Sequence, residues 1–485
     1  VNTYDELPYA DYCHERSHPE RLAAIAVLCG RSPPDVSRCR VLELGCARGA
    51  NLLPMALDLP GGEFVGVDLS ATQVHEASRR AEALGLRNAR FVACSITEVG
   101  DELGDFDYVV CHGVYSWVPA AVRDAVLRVC RARLRPEGVA YVSYNALPGW
   151  NALRTIREYL AEHAHEGPAA QRVLRARRAL AVWRASLQTD GSPWAAWMRD
   201  ELTGIAEAED AYLFHEYLEE VNDAFTLRSF DAAARAHGLV HLGDADLRVG
   251  RALMAPGPGD AVDLAQSVDY TRNRRFRAAL LQHAEKGAGR GEPAGVARLS
   301  LSTRAEPLAP EALAAVGGAR FAWEGGEVVV SDPWLRQAMQ CLVEAERRPV
   351  AFAELASAVG ARRGVARPKA LREAAARASG VLDLLFDGAV LPHLGPARYA
   401  GGAGLRPEAS PLARSQAVGD DVVTTLRHTR VELPADPHAV LRLLDGARDR
   451  SALLAALPWT ARDGDCAARL EDALEWLAAN ALLRG

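Results

Sequence analysis

One stretch constrains this chain more than any other: Val41-Leu42-Glu43-Leu44-Gly45-Cys46-Ala47-Arg48-Gly49. An apolar run ends in an acid, passes through small residues and leads into a helical pattern. Small residues let a ligand approach the backbone closely, and a helix start offers free N–H groups. Four further apolar runs repeat the first: Phe64 to Leu69, Arg90 to Cys94, Phe106 to Cys111 and Val139 to Tyr144. Runs apolar on both faces suit a parallel sheet covered by helices. The spacers supply those helices. Ser70 and Gln73 can form a capping box ahead of the stripe Val74, Ala77, Ala81 and Leu84, and Gly85 ends that helix. Pro119 opens another, with Val122, Val126, Val129 and Cys130 on one face. Strand–helix–strand repetition predicts a doubly wound α/β domain.

The chemistry of the turn narrows the ligand. Dinucleotide sites use G-x-G-x-x-G, with a pyrophosphate on the helix dipole. Here the order is E-x-G-x-A-x-G, and the glycine count falls short. The turn resembles motif I of class I S-adenosylmethionine (SAM) methyltransferases, whose Rossmann-like core sets the strand-end carboxylate facing the cationic methionine end. That resemblance implies cofactor binding by Glu43, Gly45, Cys46, Ala47, Gly49 and Asn51. Ala47 replaces the usual middle glycine and leaves slightly less room. The second strand corroborates it: Asp68 stands 19 residues after Gly49, where a ribose-binding carboxylate belongs, with Leu69 beside it. The bland alternative for Asp68 is a helix cap, a role Ser70 already fills. Ser95 and Ile96 stand where relatives place an acid and an apolar residue around adenine.

Ligands bind outside the carboxyl ends of such strands. The fourth strand opens into Cys111-His112-Gly113-Val114-Tyr115-Ser116-Trp117-Val118-Pro119, the fifth into Ser143-Tyr144-Asn145-Ala146-Leu147-Pro148-Gly149-Trp150. Two aromatic mouths side by side suggest a methyl-acceptor pocket. Tyr115 and Tyr144 are expected to orient an amine by accepting its N–H bonds, and Asn145 to do so through its amide oxygen. His112 is either a general base for an oxygen acceptor or, with Gly113, a backbone contact to the cofactor's amino-acid end. The alternative for all four aromatics is that they plug the sheet end.

Residues 4–150 resemble bacterial SAM-dependent methyltransferases that carry a methyltransferase regulatory domain. The matching blocks are Tyr4 to Tyr9, His18-Pro19, 41–55, Phe106 through Pro119 and Ala140 through Trp150. The regulatory domain is matched by Phe214 to Asn222, His237-Gly238-Leu239 and Asp269 to Arg277. The resemblance adds Tyr9 and His18 to the expected cofactor contacts. It implies a SAM methyltransferase yielding S-adenosylhomocysteine, with a lysine side-chain amine of a protein or peptide as acceptor. A small molecule or modified peptide, with a nitrogen or oxygen acceptor, is the alternative. A cofactor-binding regulator without catalysis is a third reading. Four segments are expected: a methyltransferase core (1–165), a helical and regulatory segment (166–286), and two winged-helix-like modules (296–400 and 416–485). The glycine-rich stretch 287–295 reads as a linker, and 401–415 as a second break. The Arg274–Arg277 run reads as a solvated helix face or as partner to internal acids, with substrate docking as the alternative.

Composition excludes other classes. Over 485 residues, 49% are hydrophobic and 25% charged, the balance of a globular chain. A net charge of −7 argues against a nucleic-acid partner. No run approaches about 20 apolar residues, so no membrane span is expected. Nine scattered cysteines without a CxxC pair, and no leader at the start, suggest the cytoplasm. No metal-ligand spacing is evident: His237 and His241 are separated by a glycine and a strand pattern. Oligomeric state is left open.

Overall fold

The computed structural model describes residues 6–8, 12–254, 261–309, 318–460 and 465–485. The five apolar runs are strands: β1 (Arg40–Leu44), β2 (Glu63–Asp68), β3 (Ala89–Ala93), β4 (Phe106–Cys111) and β5 (Leu134–Ala146). They are covered by α1 (Pro19–Leu28), α2 (Leu52–Asp58), α3 (Ala71–Ala83) and α4 (Ala120–Arg133). The local signals hold: Ser70 Oγ accepts the Gln73 N–H at 3.2 Å, Gly85 turns the chain at φ 69°, and Pro119 precedes α4.

All five strands are parallel, in the order β3-β2-β1-β4-β5. Their carboxyl ends therefore lie along one edge, with Leu44 beside Val67 and Cys111 beside Val142. Four helices follow: α5 (Gly149–His163), α6 (Ala169–Ser186), α7 (Pro193–Glu207) and α8 (Asp210–Tyr217). Leu153, Ile156 and Leu160 of α5 share a core with Val173, Met198 and Phe214, so this helical unit crosses the expected boundary at 165. The chain then rejoins the sheet: β6 (Ala224–Phe225), α9 (Leu227–Ala236), β7 (Leu239–Asp244), α10 (Leu247–Met254), α11 (Ala261–Thr271) and β8 (Phe276–His283). Strand β8 lies antiparallel between β5 and β7, and β6 pairs with β5 beyond the end of β4. The regulatory segment thus completes the catalytic sheet. The arginine run is partnered internally: fully buried Arg277 reaches Asp269 at 2.8 Å and Asp244 at 3.4 Å.

One face of the sheet buries Val41, Tyr108 and Tyr141 against Leu22 and Ile25 of α1, and this core runs on into Leu301, Trp334, Phe352 and Leu385. The other face buries Leu42, Val109, Val142 and Tyr144 against Val126 of α4 and Phe230 of α9. The stretch 287–295 is not the loose linker its composition suggests. Gly289 donates to His241 O at 2.8 Å, Gly291 to Met254 O at 2.8 Å and Glu292 to Leu28 O at 2.7 Å. A Cβ on Gly289 would stand 1.7 Å from Leu242 O, so this glycine serves close approach rather than flexibility. The last module has its own core of Val423, Leu444, Leu453, Leu474 and Leu483. It carries an antiparallel hairpin of Val422–Thr424 and Arg430–Glu432. No helix among the described residues is long and apolar enough to cross a membrane.

Candidate active site

The turn after β1 alternates left-handed residues: Gly45 at φ 77°, Ala47 at 45° and Gly49 at 77°. A Cβ on Gly45 would lie 2.4 Å from Val114 Cγ2, so the turn leaves no space for a side chain there. Ala47 occupies a conformation that favours glycine, and its N–H donates to Asp68 Oδ2 at 2.8 Å. Asp68 Oδ1 accepts the Ser70 N–H at 2.9 Å. The two expected cofactor acids thus flank one cradle, Asp68 tying the turn to the end of β2. Leu69 beside it is 72% exposed, an apolar surface at the mouth. Cys46 is buried under the turn, against Gly66.

Glu43 is 3% exposed, and its Oε1 accepts the Asn51 Nδ2–H at 2.6 Å. That bond fixes the Asn51 amide: its nitrogen faces the carboxylate and its oxygen faces donors. Asn51 Oδ1 accepts the His14 N–H at 2.8 Å and lies 2.9 Å from His428 Nε2. Asn51 Nδ2 also donates to Ser17 Oγ at 3.0 Å, and Ser17 Oγ donates to His14 O at 2.8 Å. Sequence reasoning missed His14, Ser17 and His428. Each reaches the site by a fold contact 34 to 377 residues from Asn51, with no local motif to mark it.

The mouth of β4 and β5 is arranged differently from the expectation. Side chains alternate along a strand. Tyr141, Ser143 and Asn145 take one face of β5, and Ala140, Val142 and Tyr144 take the core behind α4 and α9. Tyr144 stacks on Phe230 at 4.2 Å between ring centres, and Tyr115 meets Phe225 and Phe230 edge-on at 5.2 and 5.3 Å. Burial pushes the Tyr115 phenol up to about 12 and Tyr144 well above its ordinary value. Both tyrosines are therefore core residues rather than amine-orienting groups. On the other face, Tyr141 Oη lies 2.8 Å from His112 Nδ1, and Ser143 Oγ accepts the Gly113 N–H at 2.9 Å. His112 stacks on His14 with ring centres 3.5 Å apart. Burial, then the neighbouring His14, holds its pKa well below the ordinary histidine value. Asn145 is buried, its backbone N–H bonded to Ser116 Oγ at 2.8 Å and its Nδ2 3.4 Å from Asn222 Oδ1. Trp117 and Trp150 meet edge-to-face at 6.5 Å across the two mouths.

Ser95, Ile96 and His18 each have partners of their own beside these residues: Cys94 N–H donates to Asp68 O at 3.0 Å, and the His18 ring centre lies 5.1 Å from that of His428. Ser95 Oγ accepts the Thr97 N–H at 3.2 Å, and Glu98 Oε2 accepts the Ser95 N–H at 3.0 Å, a capping box that occupies this hydroxyl. Ile96 is buried in the core behind α4. His18 caps α1, with Nδ1 accepting the Glu20 N–H at 3.3 Å and Nε2 3.5 Å from Asp58. Tyr9 lies outside the described residues. His18, Glu20 and Asp58 come close enough to resemble metal ligands, but Arg398 binds both carboxylates, at 2.5 Å to Glu20 and 2.7 Å to Asp58.

Three family profiles match this chain: a methyltransferase domain at residues 42–140, a predicted methyltransferase regulatory domain at 209–283, and the PKMT C-terminal winged helix domain at 406–482. An uncharacterised protein of Rickettsia prowazekii (strain Madrid E) is 37% identical over 229 residues, 47% of this chain and 92% of that protein. The chain belongs to the SAM-dependent methyltransferases that carry this regulatory domain. A second uncharacterised R. prowazekii protein is 41% identical over 293 residues, 58% of this chain and 53% of its own length, so the chain spans about half of that relative. Among solved structures, PKMT2 from Rickettsia typhi matches 99% of this methyltransferase and 100% of its own chain, at 26% identity and a TM-score of 0.85. Its complex with AdoHcy matches at 0.84.

Proposed function

We propose that this methyltransferase moves the methyl group of SAM to a lysine side-chain amine of a protein or peptide. The observation that carries the reading is the end-to-end likeness to PKMT2, winged module included, PKMT standing for protein lysine methyltransferase. A winged module enlarges the surface a macromolecular acceptor can meet.

The residues present suit SAM. The turn from Gly45 to Ala47 is built of small residues, which let a ligand approach the backbone closely. Glu43, held by Asn51, supplies negative charge toward a cationic amino-acid end, and Asp68 supplies acceptor oxygens toward ribose hydroxyls. A bound SAM would supply a sulfonium methyl for direct displacement by the amine lone pair, the C–S electron pair staying on sulfur as S-adenosylhomocysteine and the positive charge passing to the methylated nitrogen. The acceptor amine must enter neutral, against a free pKa of about 10.4. Burial beside Trp117 and Trp150, whose rings meet edge-to-face across the two strand ends, would lower that value by desolvation. Asn145, on the face of Tyr141 and Ser143, keeps the orienting role expected of it alongside the tyrosines, its Oδ1 accepting an amine N–H. His112, neutral and fixed by Tyr141 and His14, shapes the wall beside it.

Incubation with methyl-labelled SAM and bacterial lysate, followed by acid hydrolysis, tests the acceptor. Label is expected in methylated lysine from protein. The chain itself has only Lys286 and Lys369, so self-labelling adds little background. Label confined to small molecules, or to oxygen esters, contradicts the reading.

A further inference from the structure

The residue that meets Asn51 from farthest away is His428, at the turn of the hairpin in the winged module. A hairpin turn is normally a solvated place. This one carries a histidine at φ 58°, a conformation few non-glycine residues adopt, yet 5% exposed. The turn is closed on itself: Thr425 N–H donates to Thr429 O at 2.8 Å, and His428 N–H to Thr425 O at 3.0 Å. It is anchored behind by Leu426 N–H to Ala481 O at 2.9 Å, in the module's own core. In front, Arg430 lies over the Tyr12 ring at 3.5 Å, beside the N-terminal segment that carries His14. The hairpin is thus fixed at its base and inserted at its tip.

We propose that the winged module completes the cofactor site, with His428 as the positioning residue that holds Asn51 and, through it, aims the Glu43 carboxylate. This rests on the reading that Glu43 faces the amino-acid end of SAM. The tautomer follows from the partners. Asn51 Oδ1 only accepts, because its nitrogen is committed to Glu43, so His428 Nε2 carries the proton and donates. Burial, with His18 and His14 nearby, keeps this imidazole neutral. Removal of the donor leaves Asn51 Oδ1 with the His14 N–H, and the amide, still bonded through Nδ2 to Glu43 and Ser17, less firmly aimed at the carboxylate. The winged module then communicates with the cofactor directly: a macromolecule that displaces the hairpin changes the grip on the methionine end.

Titration calorimetry with two ligands tests this. S-Adenosylhomocysteine carries the amino-acid end, and 5′-methylthioadenosine shares its adenosine and lacks that end. His428→Ala is expected to weaken S-adenosylhomocysteine about ten-fold or more, and methylthioadenosine by less than about two-fold, the selectivity of one lost hydrogen bond at one end of the ligand. His428→Phe keeps a ring in the space, removes the donor and should repeat the loss. His428→Gln keeps an N–H and should restore most of the affinity. Equal weakening of both ligands by His428→Phe overturns the proposal, since the hairpin would then act on the fold alone. Unchanged S-adenosylhomocysteine affinity in His428→Phe, with Glu43→Gln weakened, also overturns it while sparing the reading of Glu43. If Glu43→Gln binds S-adenosylhomocysteine as wild type does, that reading fails and the proposal falls with it.

Discussion

Replacement of Tyr144 by phenylalanine separates a buried packing residue from a group that touches the acceptor. The Tyr144 ring stacks on Phe230 at 4.2 Å and an interplanar angle of 24°, and Tyr144→Phe leaves that stack intact. The hydroxyl oxygen is buried with no hydrogen-bond partner among the described residues. An unpaired buried hydroxyl costs about 1–3 kcal/mol, so its removal should leave stability unchanged or raise it by about 1 kcal/mol. Urea unfolding reads that term. Turnover and SAM affinity should both stay within about two-fold, because no donor or acceptor of the site is lost. Asn145→Ala is the contrasting variant. It removes an amide from the site-facing side of β5, and turnover should fall about 5- to 150-fold, the effect of about 1–3 kcal/mol, with SAM affinity kept. A large turnover loss in Tyr144→Phe, with normal SAM binding and Asn145→Ala unaffected, would refute the assignment of faces.

Turn geometry gives a second test: Ala47→Gly should stabilise by up to about 1 kcal/mol at φ 45°, whereas Gly45→Ala, at φ 77° and 2.4 Å from Val114, should destabilise and weaken S-adenosylhomocysteine binding. Tight-binding Gly45→Ala would contradict the cradle. Limited trypsinolysis should spare Arg290, whose flanking residues Gly289 and Gly291 are bonded to neighbouring strands and helices; an early cut there would show that the stretch opens. Acid should destabilise the fold. Burial holds His14 and His393 down to about 4 and His241 to about 3, so between pH 6.5 and those values the unfolded chain binds protons that the native one refuses. Asp244, raised to about 6, acts with the opposite sign below that pH, but it is one group against several. Stability should therefore drop from pH 6.5 toward 4 in thermal melts; a flat profile would contradict the burial of the histidines.

The parallel core was legible because each strand is a short apolar run and each helix carries its own punctuation: Ser70, Gly85 and Pro119. The cofactor cradle was legible for the same local reason, since the turn and both acids lie within 26 residues of Glu43. The acceptor face was not. Val139 to Tyr144 is almost wholly apolar because both faces of β5 are covered, so no alternation of polarity marked which tyrosine shares the His112 face; Tyr141 does, bonded to His112, and Tyr144 does not. Composition misled at 287–295, where glycine signals close backbone approach as readily as flexibility. His428 was invisible because the contact joins residues 377 apart, through a hairpin whose sequence carries no cofactor motif.

The central claim is that SAM sits in the cradle between Glu43 and Asp68, and calorimetric titration of S-adenosylhomocysteine into wild-type and Asp68→Ala protein tests it most directly. The account predicts one site per chain in the wild type. Loss of a charge-assisted hydrogen bond, about 1.5–3 kcal/mol, should weaken the variant roughly ten-fold or more while it stays folded. An Asp68→Ala protein that binds S-adenosylhomocysteine as tightly as wild type would contradict it.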